Sequence, residues 1–188
     1  YDWENVKEEA IQAGINGFLT KPIFKADILE RLKQYIQGGY QEDEEQQIRE
    51  SDNLEGVRIL VADDNELNLE IMFEIFNSSG AAVDCAHNGK EALEAYLKSS
   101  QGYYQIILMD VHMPEMNGLE ATKEIRNSSR PDACSVPIIA MTADVFKEDI
   151  RRCQDAGMNA HMGKPVELDK LYSTVRKLLN KEALGEKQ

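Results

Sequence analysis

The chain has 188 residues, room for one domain of ordinary size and a smaller piece but not for two large domains. With 42% hydrophobic and 29% charged residues it is neither fibrous nor disordered throughout. A formal net charge of -13 sets its surface against DNA, RNA and anionic lipid, so direct nucleic-acid binding is not expected.

The longest apolar runs, 106–109 and 136–141, fall far below the roughly 20 residues a bilayer span needs, so no membrane segment is expected. The chain opens on Tyr1 with acidic residues and no basic-then-apolar leader, and reads as a fragment of a larger protein. Cys85, Cys134 and Cys153 form an odd set without a C-x-x-C or a His at metal spacing, which suits a reducing cytoplasm. Cys85 is expected to pack as a small side chain on a strand.

Residues 1–37 repeat a later part of the chain. Shifted by 143 positions, Ala13 and Gly14 fall on Ala156 and Gly157, Asn16 on Asn159, and Lys21–Pro22 on Lys164–Pro165. The stripe Ile28, Leu29, Leu32, Tyr35 and Ile36 follows the same alignment, so 1–37 reads as the last helix, strand and helix of a truncated earlier copy. That stripe lacks the sheet it was built to cover, so it is expected to dock on the intact copy or on a second chain. Residues 38–56 follow as an acidic linker, with seven acids against Arg49 between 40 and 56.

From Val57 the pattern alternates short apolar runs with amphipathic stretches. Strands are predicted at 57–62, 82–86, 105–110, 136–141 and 159–162, mostly apolar on both faces. Helices are predicted at 66–78, 90–98, 118–127, 145–156 and 167–180. Runs of this kind joined by crossover helices indicate a doubly wound, five-stranded parallel α/β sheet over 57–181, with a short tail at 182–188. Ligands of such sheets sit beyond the carboxyl ends of the strands.

Those ends carry the chemistry. Asp63 and Asp64 follow the first strand, Asp110 closes the third, Thr142 follows the fourth and Lys164 the fifth. Three carboxylates gathered at one rim repel unless a cation lies between them, and an oxygen-only site with few protein ligands suits Mg²⁺. A carboxylate can also attack phosphorus, with a hydroxyl and an ammonium gripping the transferred group. The bland alternatives are that Asp63–Asp64 merely cap the first helix and that Thr142 caps the fourth.

Residues 57–181 resemble a response-regulator receiver domain, through VRILVADDN at 57–65, IILMDVHMPEMNGLE at 106–120, MTA at 141–143 and GKP at 163–165. The resemblance implies the flavodoxin-like strand order 2-1-3-4-5 and Asp110 as phosphoacceptor. It implies that Asp64, Asp110 and the backbone carbonyl of His112 bind Mg²⁺, with Asp63 holding a metal-bound water. Thr142 and Lys164 would grip the phosphoryl group, Pro165 would follow a cis peptide bond, and Thr142 and His161 would form the conformational switch. Histidine at 161 departs from the commoner Tyr or Phe and resembles receivers of hybrid histidine kinases.

The implied function is acceptance of a phosphoryl group from the phosphohistidine of a histidine kinase or phosphotransfer domain. The parent would be a hybrid sensor histidine kinase carrying tandem receivers, anchored to a membrane elsewhere in its length. No kinase ATP-binding region is read in this chain, so the turnover expected is that of its own acyl phosphate. Two rivals are a degenerate receiver acting only as a protein-interaction module and a haloacid-dehalogenase-like phosphatase. The second predicts D-x-D-x-T after the first strand, where this chain has Asp63–Asp64–Asn65–Glu66.

Overall fold

In the computed structural model, residues 53–143 and 147–185 are described. The remnant expected over 1–37, with its docking stripe, and most of the acidic linker lie outside those residues. The elements alternate as β1 (Arg58–Ala62), α1 (Glu66–Ser78), β2 (Ala82–Ala86), α2 (Gly89–Lys98), β3 (Ile106–Asp110), α3 (Gly118–Asn127), β4 (Ile138–Thr142), α4 (Lys147–Asp155), β5 (Ala160–Gly163) and α5 (Leu168–Gly185). The five strands form one sheet in the order β2-β1-β3-β4-β5, every neighbouring pair parallel.

The sequence explains why the sheet is central. Ile59 to Ala62, Ile106 to Met109 and Ile138 to Met141 are almost wholly buried, as strands with helices on both faces must be. On one face, Leu60, Ile107 and Met109 pack with Tyr96 of α2, Ile125 of α3 and Cys153 of α4. On the other, α1 and α5 meet: the Phe76 and Tyr172 rings stand edge to face with centroids 6.3 Å apart, and the Tyr172 hydroxyl donates to the Ile75 carbonyl over 3.0 Å. No helix among the described residues is long and apolar enough to cross a membrane.

Asparagine starts three helices in the same way. The side chains of Asn65, Asn88 and Asn117 accept from the backbone N–H groups of Leu67, Glu91 and Glu120, which satisfies donors that the first helical turn leaves unpaired. Asn117 and Glu120 complete a reciprocal capping box. The cap of α1 is therefore Asn65, and the acidic pair before it is released from the capping role that sequence alone allowed.

Several boundaries differ from expectation for physical reasons. β4 begins at Ile138 rather than 136 because Pro137 has no N–H for the ladder and the Val136 N–H turns back to the Asp132 carbonyl. α5 runs on to Gly185, since nothing between 180 and that glycine breaks a helix. β2 lies at the sheet edge, so Cys85 is exposed instead of packed. Leu54, in the stretch read as linker, is buried, and its N–H donates to the Ser79 carbonyl over 2.8 Å.

A second polar cluster fastens the amino-terminal edge of the sheet. Asp132 receives Nε and Nη2 of Arg130 at 3.0 and 2.8 Å, the Tyr96 hydroxyl at 2.9 Å and the Gly102 N–H at 2.8 Å. Arg130 also donates to the Tyr96, Ser99 and Ser100 carbonyls at the end of α2, and its guanidinium lies 4.3 Å from the centroid of the Tyr96 ring. One loop is thereby bolted to the C-terminus of a helix that precedes it by some thirty residues.

Candidate functional site

Parallel register brings the strand ends to one rim. Ala62 pairs with Met109, Asp110 with Met141, and Thr142 with Gly163, so Asp63, Asp110, Thr142 and Lys164 emerge at the same level. The Lys164 N–H donates to the Thr142 carbonyl over 2.8 Å, and the Lys164–Pro165 peptide bond is cis. From there the lysine Nζ reaches back to Asp63 Oδ2 and Asp110 Oδ2, each at 2.6 Å.

Every oxygen of the two buried carboxylates has a donor. Asp63, 0% exposed, accepts from the Asn65 N–H at 3.0 Å and the Asn68 side-chain amide at 2.9 Å through Oδ1, which leaves Oδ2 for Lys164. Asp110 accepts the His112 N–H through Oδ1 at 3.2 Å. Asp64 is exposed beside them. One oxygen from each of Asp63, Asp64 and Asp110 lies within 4.8 Å of the others.

Burial is the largest influence on Asp110 and holds its carboxyl above the ordinary range, against the opposing hydrogen bond and charge of Lys164. Burial alone would pull the Lys164 ammonium down. The hydrogen bonds and charges of Asp110 and Asp63 together outweigh it, and the ammonium sits above its usual value. Lys164 thus pairs with two carboxylates, and Asp64 adds a third beside them. An all-oxygen donor set with excess negative charge fits a hard divalent cation and does not suit a thiophilic or imidazole-seeking one.

The remaining predicted residues are placed as follows. Thr142 is buried at the end of β4, and the His112 side chain is exposed on the loop after Asp110. His161 is exposed on β5, where it borders a groove of about 330 Å³ with Ile150, Cys153 and Leu178 rather than the acidic rim. Asn68 was not singled out from sequence. Its placement one helical turn inside α1, five residues after Asp63, is the signal that could have found it.

A sequence model of the response regulator receiver domain matches residues 59–176. "Hybrid signal transduction histidine kinase L" of Dictyostelium discoideum is 36% identical over 121 residues, covering 64% of this chain and 7% of that protein. "Probable histidine kinase 6" of Oryza sativa subsp. japonica is 33% identical over 180 residues, covering 86% of this chain and 18% of that protein. The chain therefore spans a small part of the curated relatives it matches.

Among solved structures, the receiver domain of sensor histidine kinase PA1611 from Pseudomonas aeruginosa, with magnesium coordinated in its active-site cleft, is 31% identical. It superposes with a TM-score of 0.60 over 66% of this chain and 98% of that one. The receiver domain of Ssk1 in its co-crystal with the phosphotransfer protein Ypd1, from Saccharomyces cerevisiae, reaches a TM-score of 0.60 at 27% identity, over 68% of this chain and 91% of that chain.

Proposed function

Because the chain belongs to the response regulator receiver domain family, we propose that it is the phosphoacceptor module of a phosphorelay, taking a phosphoryl group from phosphohistidine onto Asp110. The observation that carries this reading is the lysine ammonium held 2.6 Å from both Asp63 and Asp110 at the edge of a three-carboxylate cluster. That arrangement sets the Asp110 carboxylate against a positive charge and within a cluster of oxygens that can take a cation.

In this reading an Asp110 oxygen attacks phosphorus in line. The new P–O bond forms as the P–N bond to the donor imidazole breaks, and the bonding pair returns to the ring nitrogen. Lys164 moves from pairing the carboxylate to pairing a phosphoryl oxygen, and the Thr142 hydroxyl donates to another. Asn65 and Asn68 hold Asp63 in place throughout. Mg²⁺ is the cation the donor set fits, and when bound it would supply positive charge that offsets the charge developing on the phosphoryl oxygens. Asp64, Asp110 and the His112 carbonyl would hold it, with Asp63 reaching it through a water.

We assign residues 57–181 as the body of the receiver, with Leu54 packed on it and α5 carrying it on to Gly185, the preceding stretch from 38 as linker and 1–37 as the remnant of a preceding receiver, within a cytoplasmic portion of a hybrid histidine kinase. The relatives' names and the segment's small share of their length support that parentage. The immediate partner is a histidine-containing phosphotransfer domain, as Ypd1 is for the Ssk1 receiver. Mixing this chain with a phosphotransfer protein labelled on histidine, in Mg²⁺, is expected to move the label to the chain, and chelation is expected to stop it. A chain that stays unlabelled with phosphohistidine and small-molecule donors alike, or that labels equally well in chelator, contradicts the proposal.

A further inference from the structure

The loop 111–117 leaves Asp110, carries the His112 carbonyl and returns the chain to α3. Its two ends are closed on each other, for the Gly118 N–H donates to the Val111 carbonyl over 3.1 Å. A Cβ at Gly118 would lie 2.0 Å from the Asp110 carbonyl oxygen. At the tip of the loop the Met116 N–H donates to the Pro114 carbonyl over 2.7 Å, forming a γ-turn around Glu115. Glu115 has φ +62°, the one positive value outside glycine among the described residues, and γ-turns of that hand are rare and strained.

Something outside the loop holds this turn. Gly89 is the first residue of α2, and its N–H is one of the first-turn donors without a partner inside the helix. It donates to the Met116 carbonyl over 3.0 Å. A Cβ at Gly89 would stand 2.5 Å from that same oxygen, and 3.0 Å from both the Asn117 carbonyl oxygen and the Ala121 Cβ. The glycine is required by this approach and not by its own backbone angle, and the atom it would strike belongs to the main chain, which cannot swing aside.

We propose that Gly89 is a positioning residue for phosphoryl uptake: by bonding the Met116 carbonyl it holds the strained Glu115 turn, and through it keeps Asp110 and the His112 carbonyl in register with Asp63 and Lys164. This rests on the reading of Asp110 as phosphoacceptor. The contact joins the first turn of α2 to the loop that follows β3, so the start of that helix acts on the chemistry without touching the transferred group.

Gly89→Ala forces the Met116 oxygen from 2.5 Å to beyond 3.0 Å from the new carbon. The maximal rate of uptake from a small-molecule phosphodonor is expected to fall about tenfold, with the donor's half-saturation unchanged. Magnesium binding to the unphosphorylated chain, read by calorimetry, is expected to weaken about tenfold. Glu115→Gly added to Gly89→Ala frees the turn, so the thermal midpoint should recover while magnesium binding and uptake stay low.

Recovery of all three together would mean that Gly89 only supports the fold, and wild-type magnesium affinity and rate in Gly89→Ala would likewise overturn the proposal. Should Gly89→Ala alone not fold, the double variant carries the comparison. Failure of the functional reading looks different: the wild-type chain itself would take up no phosphate while still binding magnesium.

Discussion

Phosphoryl uptake is expected to fall at least about a hundredfold when Lys164 is replaced by methionine, the usual scale for losing one preorganised donor to the reacting oxygens. The same change should destabilise the unphosphorylated chain. Asp63 and Asp110 are 0% and 5% exposed, and without the ammonium their carboxylates keep the donors at Oδ1 but lose the counter-charge they share at Oδ2. Orphaning a buried charge costs roughly 3–5 kcal/mol, and the 23% exposure of the lysine side chain reduces this to about 2–3 kcal/mol at neutral pH.

The pH dependence of that deficit has a definite sign. Burial, and then the neighbouring Asp63 charge, hold Asp110 above its ordinary value, and removing Lys164 removes the main opposing influence. A carboxyl raised in the folded state contributes stability below its unfolded value, near about 4, and loses it as pH rises through the folded value. The deficit of Lys164→Met should therefore be smallest near pH ~4 and grow towards neutrality. Magnesium, offering the missing positive charge, should stabilise the variant more than the wild type. Urea titrations at the two pH values with and without the metal check this, and a deficit indifferent to both would contradict it.

Asp132→Ala is expected to cause the largest loss of stability without altering the chemistry. The Arg130 and Asp132 side chains are only 12% and 11% exposed, and the substitution takes the counter-charge and two acceptors from the guanidinium and leaves the buried Tyr96 hydroxyl and the Gly102 N–H without their acceptor. About 3–5 kcal/mol is the expected cost, enough to lower the midpoint of a domain this size by ten degrees or more. The two Arg130 hydrogen bonds are the largest cause of an Asp132 carboxyl held well below the usual range. Its stabilisation is thus complete above about pH 4 and disappears as pH falls through the depressed folded value, so the variant and wild type should converge in strong acid.

Alkali tests the same network from the other side. Burial first, then the Asp132 hydrogen bond, push Tyr96 up to about 12, so its contribution is present below about pH 10 and lost as pH rises through the folded value. A variant as stable as wild type at neutral pH would show that the cluster is not what fastens the α3–β4 loop to α2. Phosphoryl uptake per folded molecule should be unchanged, because the cluster lies at the amino-terminal ends of the strands and Asp110 at a carboxyl end.

What could be read from sequence follows from how local each signal is. Ile106 to Asp110 and Ile138 to Thr142 are nearly continuous apolar runs because both faces are covered, and the polar residues that end them stand out against that background. The acidic rim was legible for this reason. β2 misled because an edge strand need not bury both faces, so a pattern of five residues cannot say whether Cys85 packs. The shift of β4 was legible in principle, since Pro137 cannot donate to a ladder.

Contacts between loops were not legible. Nothing near Gly89 shows that its N–H will meet Met116, and nothing around Asp132 shows that Arg130 will clasp the end of α2. Glu115 gave no hint either, because a positive φ outside glycine is imposed by the turn's neighbours rather than by the residue. Such features depend on which strands become adjacent, and that is settled only by the assembled sheet.

The most direct measurement of the central claim is chemical mapping of the phosphorylated residue. The chain is incubated with phosphodonor and Mg²⁺, reduced with borohydride, which turns an acyl phosphate into an alcohol, and digested for mass analysis. Homoserine at position 110 alone, and none in Asp110→Asn, is the expected result. Phosphate found on Asp63, Asp64 or a histidine, or uptake undiminished in Asp110→Asn, would contradict it.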